Sequence, residues 1–312
     1  MRTQARSGGS GRVAVAMPHD EEAIGSILAA ARQGMAEPVL VGDRSSIERA
    51  AAMAGETLGD WDVVPAGSPE EAAAVTVEMV RSGKADVVMK GSLETATLLK
   101  AILDPEHGLR TGRVLSHVAA FSPVGYPRLL LVTDAAMNIA PTVEQKREII
   151  LNAVEVSHAL GVSEPRVALL CAKEKVDPRM PATVEAGKIR ALWEAGEIPG
   201  CIVSGPLALD NAVSPRAAEL KGISDPVAGV ADVLIAPDIE AANILYKALA
   251  FLGGAENAGI ILGATAPIVL TSRADSLRSR IDSIALAAIH ARFRRRHHRG
   301  GPEATGTVTL GR

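Results

Sequence analysis

A hydroxyl, a guanidinium and a carboxylate fall within four residues at Ser272, Arg273 and Asp275, directly after the apolar run ILGATAPIVLTS at 261–272. The run reads as a strand, and 276 to about 296 as a helix. A strand's carboxyl end opening onto a helix start is where open α/β sheets keep ligands, because free backbone N–H groups and the positive dipole end face the crevice. An anionic group is the expected guest.

Three more strand ends carry small, hydroxyl-bearing and charged residues. Expected strand 85–89 runs into Lys90-Gly91-Ser92 and a helix with Thr95, Thr97 and Lys100. There Gly91 would permit close backbone approach and Lys100 would neutralise phosphate; the structural alternative is a capped helix with Lys100 solvated. Strand 128–132 runs into Thr133-Asp134 and on to Asn138. A buried aspartate is costly unless hydrogen-bonded, so a structural role for Asp134 stays open. Strand 201–204 leads to Gly205, Asp210 and Asn211, which also read as an ordinary loop and N-cap.

The elements that must hold these residues alternate in type. Strands are expected at 12–17, 39–42, 61–65, 85–89, 114–121, 128–132, 166–171, 201–204, 233–236 and 258–270. Capping signals open the helices between them: Ser45 with Glu48, Ser68-Pro69-Glu70-Glu71, Thr142 with Gln145, and Ser214-Pro215. Such alternation implies an α/β fold, mostly parallel, with helices on both faces. Glycine and proline punctuation divides the chain into a first α/β domain, 1–112, completed by a returning segment 259–296, and a second, 113–258. The active site is expected in the cleft between them. Residues 297–312 read as a disordered basic and Gly-rich tail.

Composition excludes several classes. With 312 residues, 47% of them apolar, the chain can bury a sizeable core. A net charge of −3 with both signs interspersed gives no general nucleic-acid field, and 2% aromatic content leaves no base-stacking platform. The basic run at 292–299 reads as a solvated helix end. No stretch has signal-peptide or membrane-span character, so neither membrane nor nucleic-acid partners are expected and the cytoplasm is the default. Cys171 and Cys201 lack metal-ligand spacing and read as reduced thiols. P-loop, dinucleotide, zinc-protease and nucleophile-elbow motifs are missing, and no metal site is expected. His117 and His158 read as structural residues.

Five ordered segments then resemble one family: TDAAMNIAP at 133–141, EKVDPRMPAT at 174–183, GPLALDNAVS at 205–214, PDIEAANILYK at 237–247 and PIVLTSRADS at 267–276. They are similar to the signature segments of butyryl-type members of the phosphate acetyl/butyryltransferase family, over about 12–289. The resemblance implies a two-domain fold of the isocitrate/isopropylmalate dehydrogenase type and a homodimer or larger assembly. The reaction it implies is acyl-CoA plus phosphate giving acyl phosphate plus coenzyme A, by direct attack and without a bound cofactor. Ser272, Arg273, Asp275 and Asp210 become the candidate catalytic residues. Lys90, Gly91, Ser92, Lys100, Asp134, Asn138, Gly205, Asn211 and Asn243 become candidate substrate contacts. Acetyl-type members place an aspartate base seven residues after the serine, where this chain has Ser279; Asp275 and Asp282 are the nearest substitutes. Butyryl-type members tend to carry aspartate at Ser204 and glycine at Ala242. Acetyl specificity, a metal-dependent decarboxylating dehydrogenase and a noncatalytic ligand-binding protein of the same fold are the competing readings.

Overall fold

The computed structural model of the protein describes residues 1–272 and 274–299; Arg273 and positions 300–312 of the expected tail lie outside the described residues. The chain begins α1 (Arg2–Ser7), β1 (Gly11–Ala16), α2 (Glu21–Arg32), β2 (Ala36–Val41), α3 (Arg44–Met53), β3 (Asp62–Val64), α4 (Pro69–Arg81), β4 (Val87–Lys90) and α5 (Thr95–Ile102). It continues through β5 (Ser116–Ser122), β6 (Leu130–Thr133), α6 (Val143–Ala159), β7 (Arg166–Leu170), α7 (Pro181–Glu194), β8 (Ile202–Leu207), α8 (Leu209–Val213), α9 (Pro215–Leu220), β9 (Val233–Ile235) and α10 (Ile239–Lys247). A π-helical turn over Ala248–Leu252, then β10 (Glu256–Leu262), β11 (Ile268–Val269) and α11 (Leu277–Arg299) complete it. The caps at Ser68, Thr142 and Ser214 form as expected, Thr142 and Gln145 making both halves of a capping box. At α3, Asp43 replaces the expected Ser45: its carboxylate accepts from the Ser46 N–H at 2.8 Å and from the Ser45 hydroxyl at 2.6 Å.

The strands make one sheet in the order β3-β2-β1-β4-β11-β10-β5-β6-β9-β7-β8. It is mostly parallel, as expected, but the pairings β11–β10, β10–β5 and β5–β6 are antiparallel and adjacent at its centre. Two parallel blocks of opposite sense therefore flank the middle. The single strand expected at 258–270 is in fact the two strands β10 and β11. Gly263, at φ +100°, turns the chain where an added Cβ would overlap the backbone of Val114, and Thr265 N–H bonds to Leu109 carbonyl at 2.8 Å instead of extending a ladder. β10 lies across the expected boundary at 258/259 and pairs with strands from both sides of it.

Strand residues alternate between the faces. Val13, Val15, Val87 and Met89 join one large cluster that continues along the sheet through Val118, Leu131, Val167 and Val233, covered by residues of α2, α6, α7 and α11. On the other face, Ala14, Ala16 and Val88 belong to a cluster with α4 and α5, whereas Ala119, Phe121 and Val132 belong to another that includes Leu245 and Tyr246 of α10. One face is covered continuously; the other is divided.

Arg292 and Arg294 of the basic run are not solvated, whereas Arg296 is exposed as expected. Arg292 is buried and donates to the carbonyls of Ala5 (2.7 Å), Gln4 (2.8 Å) and Gly9, docking α1 on α11. Arg294 donates to Ala264 carbonyl at 2.7 Å, and Arg295 pairs with Asp86. A guanidinium has five donors, and burying them beside carbonyl oxygens satisfies them without counter-charge. Arg294 also lies 3.2 Å from Glu155 of α6, which His290 Nε2 approaches to 3.0 Å and Arg113 to 3.1 Å. Burial pushes the Glu155 carboxyl up, but the His290 contact and the charges of Arg294 and Arg113 outweigh it and bring its pKa down to about 2.

Because the folded pKa lies below the unfolded value near 4.5, this carboxylate stabilises the protein above that pH and the contribution disappears as pH falls toward 2. Glu155→Gln is expected to cost about 3 kcal/mol at neutral pH, as breaking a buried ion pair does. Urea unfolding at pH 7 and pH 3 checks it: the gap between variant and wild type narrows on acidification.

Candidate active site

At β1 the strand order reverses, with β2 on one side and β4 on the other. At this switch point, outside the carboxyl ends of β1 and β4, lies a cleft of about 570 Å³ lined by Asp20 and Glu22 of the α2 start, Lys90, Gly91, Ser92, Thr95, Thr271, Ser272 and Arg280, among others. An adjoining cavity of about 230 Å³ shares Lys90, Thr95, Thr271 and Ser272. It adds Asp275, Ser279, His117, Tyr246 and a largely apolar lining from the 135–137 loop, Ile261 and Leu270.

The Lys90 ammonium donates to the carbonyls of Gly91 at 3.0 Å and Leu93 at 3.2 Å, which holds it at the border of both cavities. Gly91 N–H bonds to Ala16 carbonyl at 2.8 Å, and an added Cβ would overlap the Ala16 and Met17 carbonyls. The close approach this glycine permits is therefore between the ends of β4 and β1. Met17 is held at φ 50°, its carbonyl accepting from Ser92 N–H, Ser92 Oγ and His19 N–H. Such a left-handed non-glycine costs free energy and is kept by the surrounding hydrogen bonds.

Ser272 and Asp275 are braced from two sides. Ser272 N–H donates to Asp275 Oδ2 at 2.7 Å, and Ala274 N–H donates to Ser272 Oγ at 3.3 Å. Arg280, 6% exposed, donates to the carbonyls of Ser272 at 3.1 Å and Asp275 at 3.3 Å. The cap of α11 is Ser276, whose hydroxyl accepts from Ser279 N–H at 3.1 Å, so Asp275 is not needed for it. Arg273, the expected cation, lies outside the described residues. Arg280 was missed by sequence reading because it resembles any surface arginine on a polar helix start.

Asp134 is 5% exposed and fully engaged. Oδ1 accepts from the N–H groups of His117, Ala136 and Met137, each at 3.1 Å. Oδ2 accepts from Asn138 N–H at 3.0 Å and Asn138 Nδ2 at 2.6 Å. Asn138 also donates to Leu115 carbonyl, and Asn243 to Ala135 carbonyl at 3.1 Å. These three shape the loop that presents Ala135, Ala136 and Met137 to the inner cavity. The Asp134 carboxylate and the amide N–H groups of Asn138 and Asn243 bond within the protein.

Other candidates lie elsewhere. Lys100 is exposed in the last turn of α5 and lines neither cavity. Gly205 lies within β8 against Leu169, whereas Asp210 and Asn211 of α8 belong to a separate cluster, where Lys221 pairs with Asp210 at 3.1 Å and Glu174 at 2.9 Å, and Asn211 bonds to Glu174. Asp282 is tied to Arg2 at 2.6 Å, leaving Asp275 as the carboxylate in the inner cavity. Ser279 donates to Asn257 Oδ1 at 2.6 Å. His117 and Tyr246 were not anticipated in the cavity wall. Burial pulls the His117 pKa down against the opposing pull of Asp134 and Asp275; burial first and Asp275 second push the Tyr246 phenol up to about 12. Cys171 and Cys201 are free thiols whose pKa values burial pushes up to about 11 and about 12. Among the described residues, no three His, Cys, Asp or Glu side chains converge as a metal cage would, and no helix is long and apolar enough to cross a membrane.

The switch-point cleft is thus bordered by the Ser272 hydroxyl, by Lys90 and Arg280 and by the carboxylates of Asp20, Glu22 and Glu94, and it adjoins a cavity with a largely apolar lining. The chain belongs to the phosphate acetyl/butaryl transferase family, whose model matches residues 68–288. It is 49% identical over 276 residues to a probable phosphate butyryltransferase of Bacillus subtilis (88% of this chain, 91% of the relative). It is 45% identical over 283 residues to a phosphate acetyltransferase of Thermotoga maritima (90% and 95%). The crystal structure of a branched-chain phosphotransacylase from Enterococcus faecalis superposes with a TM-score of 0.79 at 35% identity, covering 90% of this chain and 98% of that one.

Asp134→Asn would set an amide NH₂ against converging N–H donors and remove the charge that strengthens the remaining bonds. A loss of about 2–4 kcal/mol is expected, read as a lower urea midpoint at unchanged denaturant slope.

Proposed function

We propose that this enzyme converts a short-chain acyl-CoA and inorganic phosphate reversibly into acyl phosphate and coenzyme A, with four-carbon acyl groups favoured. The observation that carries the reading is the convergence of the Ser272–Asp275 loop, Lys90 and the start of α5 on one cleft with an apolar cavity behind it. A phosphate oxygen attacks the thioester carbonyl carbon, the C–S bond breaks, and the thiolate leaves and takes a proton from solvent. Phosphate needs no base for this, since groups of this kind lose their second proton near neutral pH, at roughly 6 to 7. The Ser272 hydroxyl donates to the carbonyl oxygen as negative charge develops there. Lys90 and, from its sequence position, Arg273 offset the repulsion between phosphate and the polyanionic carrier. Arg280 sets the loop. In the reverse direction the same path runs backwards, and the thiol proton passes to solvent by way of Asp275, which lines the inner cavity.

In this reading residues 1–112 with 259–296 and residues 113–258 act as two lobes, no cofactor beyond the substrates is required, and the enzyme works in the cytoplasm. Exposed Ile244, Phe251 and Leu252, on α10 and the turn after it, support a homodimer or larger assembly. Acetyl transfer is the second reading, favoured by the acetyltransferase relative at 45% identity.

Thioester loss is expected to require phosphate and to release thiol in step with acyl phosphate, without nicotinamide or metal. Turnover undiminished without phosphate would identify a hydrolase, and no turnover with any thioester a binding protein. Arg273→Ala should lower kcat/KM by about 10²–10³, with Arg273→Lys recovering part, because a point charge does not replace a planar fork. Steady-state kinetics on both variants decides this.

A further inference from the structure

The inner cavity has lining residues that it does not share with the outer cleft. Among them are His117 of β5, Gly259 of β10 and Tyr246 of α10. In the β10–β5 ladder Gly259 faces Ala119 and Ile261 faces His117, so all four lie on one face of the sheet, with Gly259 diagonal to His117. A Cβ placed on Gly259 would stand 2.6 Å from His117 Nε2 and 3.3 Å from its Cε1. The imidazole thus occupies the space a side chain at 259 would take. Tyr246 meets the ring edge-on, with centroids 5.8 Å apart, and is itself backed by Phe121 at 5.2 Å. Its hydroxyl reaches Asn257 Oδ1 at 3.4 Å.

Resting on the acyl-transfer reading above, we propose that the His117 ring, seated on Gly259 and backed by Tyr246, is the end wall of the acyl pocket and sets the chain length the enzyme accepts. With Ser272 and Lys90 at the shared border, the acyl chain extends from the reacting carbonyl past Met137, Ile261 and Leu270 toward the ring. An acetyl methyl would leave most of the 230 Å³ empty, whereas a straight or branched four- to five-carbon chain reaches the aromatic wall. The group recognised is therefore a short aliphatic acyl chain longer than acetyl.

Gly259→Ala tests this with one methyl group. Its Cβ pushes the imidazole into the cavity, so the ratio of kcat/KM for butyryl-CoA over acetyl-CoA should fall by about tenfold or more, the usual worth of a methylene in a hydrophobic pocket. A ratio is independent of the amount of folded enzyme. Adding His117→Ala to Gly259→Ala should restore the ratio, and His117→Ala alone should raise hexanoyl-CoA relative to butyryl-CoA. If Gly259→Ala gives no soluble enzyme, Tyr246→Leu carries the test, with the same rise of hexanoyl over butyryl expected. A ratio unchanged in Gly259→Ala, or equal losses with every chain length, overturns the end-wall assignment while leaving acyl transfer intact. Wild-type enzyme inactive on every thioester overturns the acyl-transfer reading instead.

Discussion

The unequal covering of the two sheet faces is the constraint on which the rest of this structure depends. Helices α2, α6, α7 and α11 bury one face without interruption, so the eleven strands share a core along their whole length. On the opposite face the cover stops between the α4–α5 cluster and the α10 cluster, and the inner cavity lies in that interval. Hydrophobic burial on one side makes the sheet rigid enough to tolerate a gap on the other.

The sense of the central strands gives the gap its chemistry. The 135–137 loop after β6 and the residues Ser272 and Asp275 after β11 border the same cavity although β6 and β11 belong to parallel blocks of opposite sense. Both loops are preorganised by internal bonds: five donors on Asp134 in one, and the Asp275 carboxylate and Arg280 guanidinium in the other. Polar groups fixed before a substrate arrives do not have to reorganise as charge moves, which is where much of an enzyme's electrostatic advantage comes from. The cluster of Glu155 with Arg113, His290 and Arg294 ties α6 to α11 behind the sheet.

Short-range physics made much of this legible in the sequence. The α/β alternation, the caps at Ser68, Thr142 and Ser214 and the strand-end position of Lys90-Gly91-Ser92 all depend on neighbours within a few residues. The family resemblance rested on five contiguous segments for the same reason. Lys100 was misjudged because helical spacing tells which residues share a face but not whether that face looks into a cleft. Arg292 and Arg294 were read as solvated because charge in sequence carries no information about carbonyls that fold back onto it, such as those of Gln4, Ala5 and Ala264.

The sequence by itself determined the class of fold, the family, and the hydroxyl and carboxylate at Ser272 and Asp275, since each is encoded in local pattern. Only the tertiary structure decided that Asp134 is spent on its own loop, that Asp282 belongs to Arg2, and that Arg280 braces the site. It alone brought His117 onto Gly259, residues 142 positions apart in the chain and diagonal in one ladder. Side-chain partners of this kind are chosen by strand register and sheet order. Those emerge from burying the whole apolar surface at once, and no window of neighbouring residues contains them.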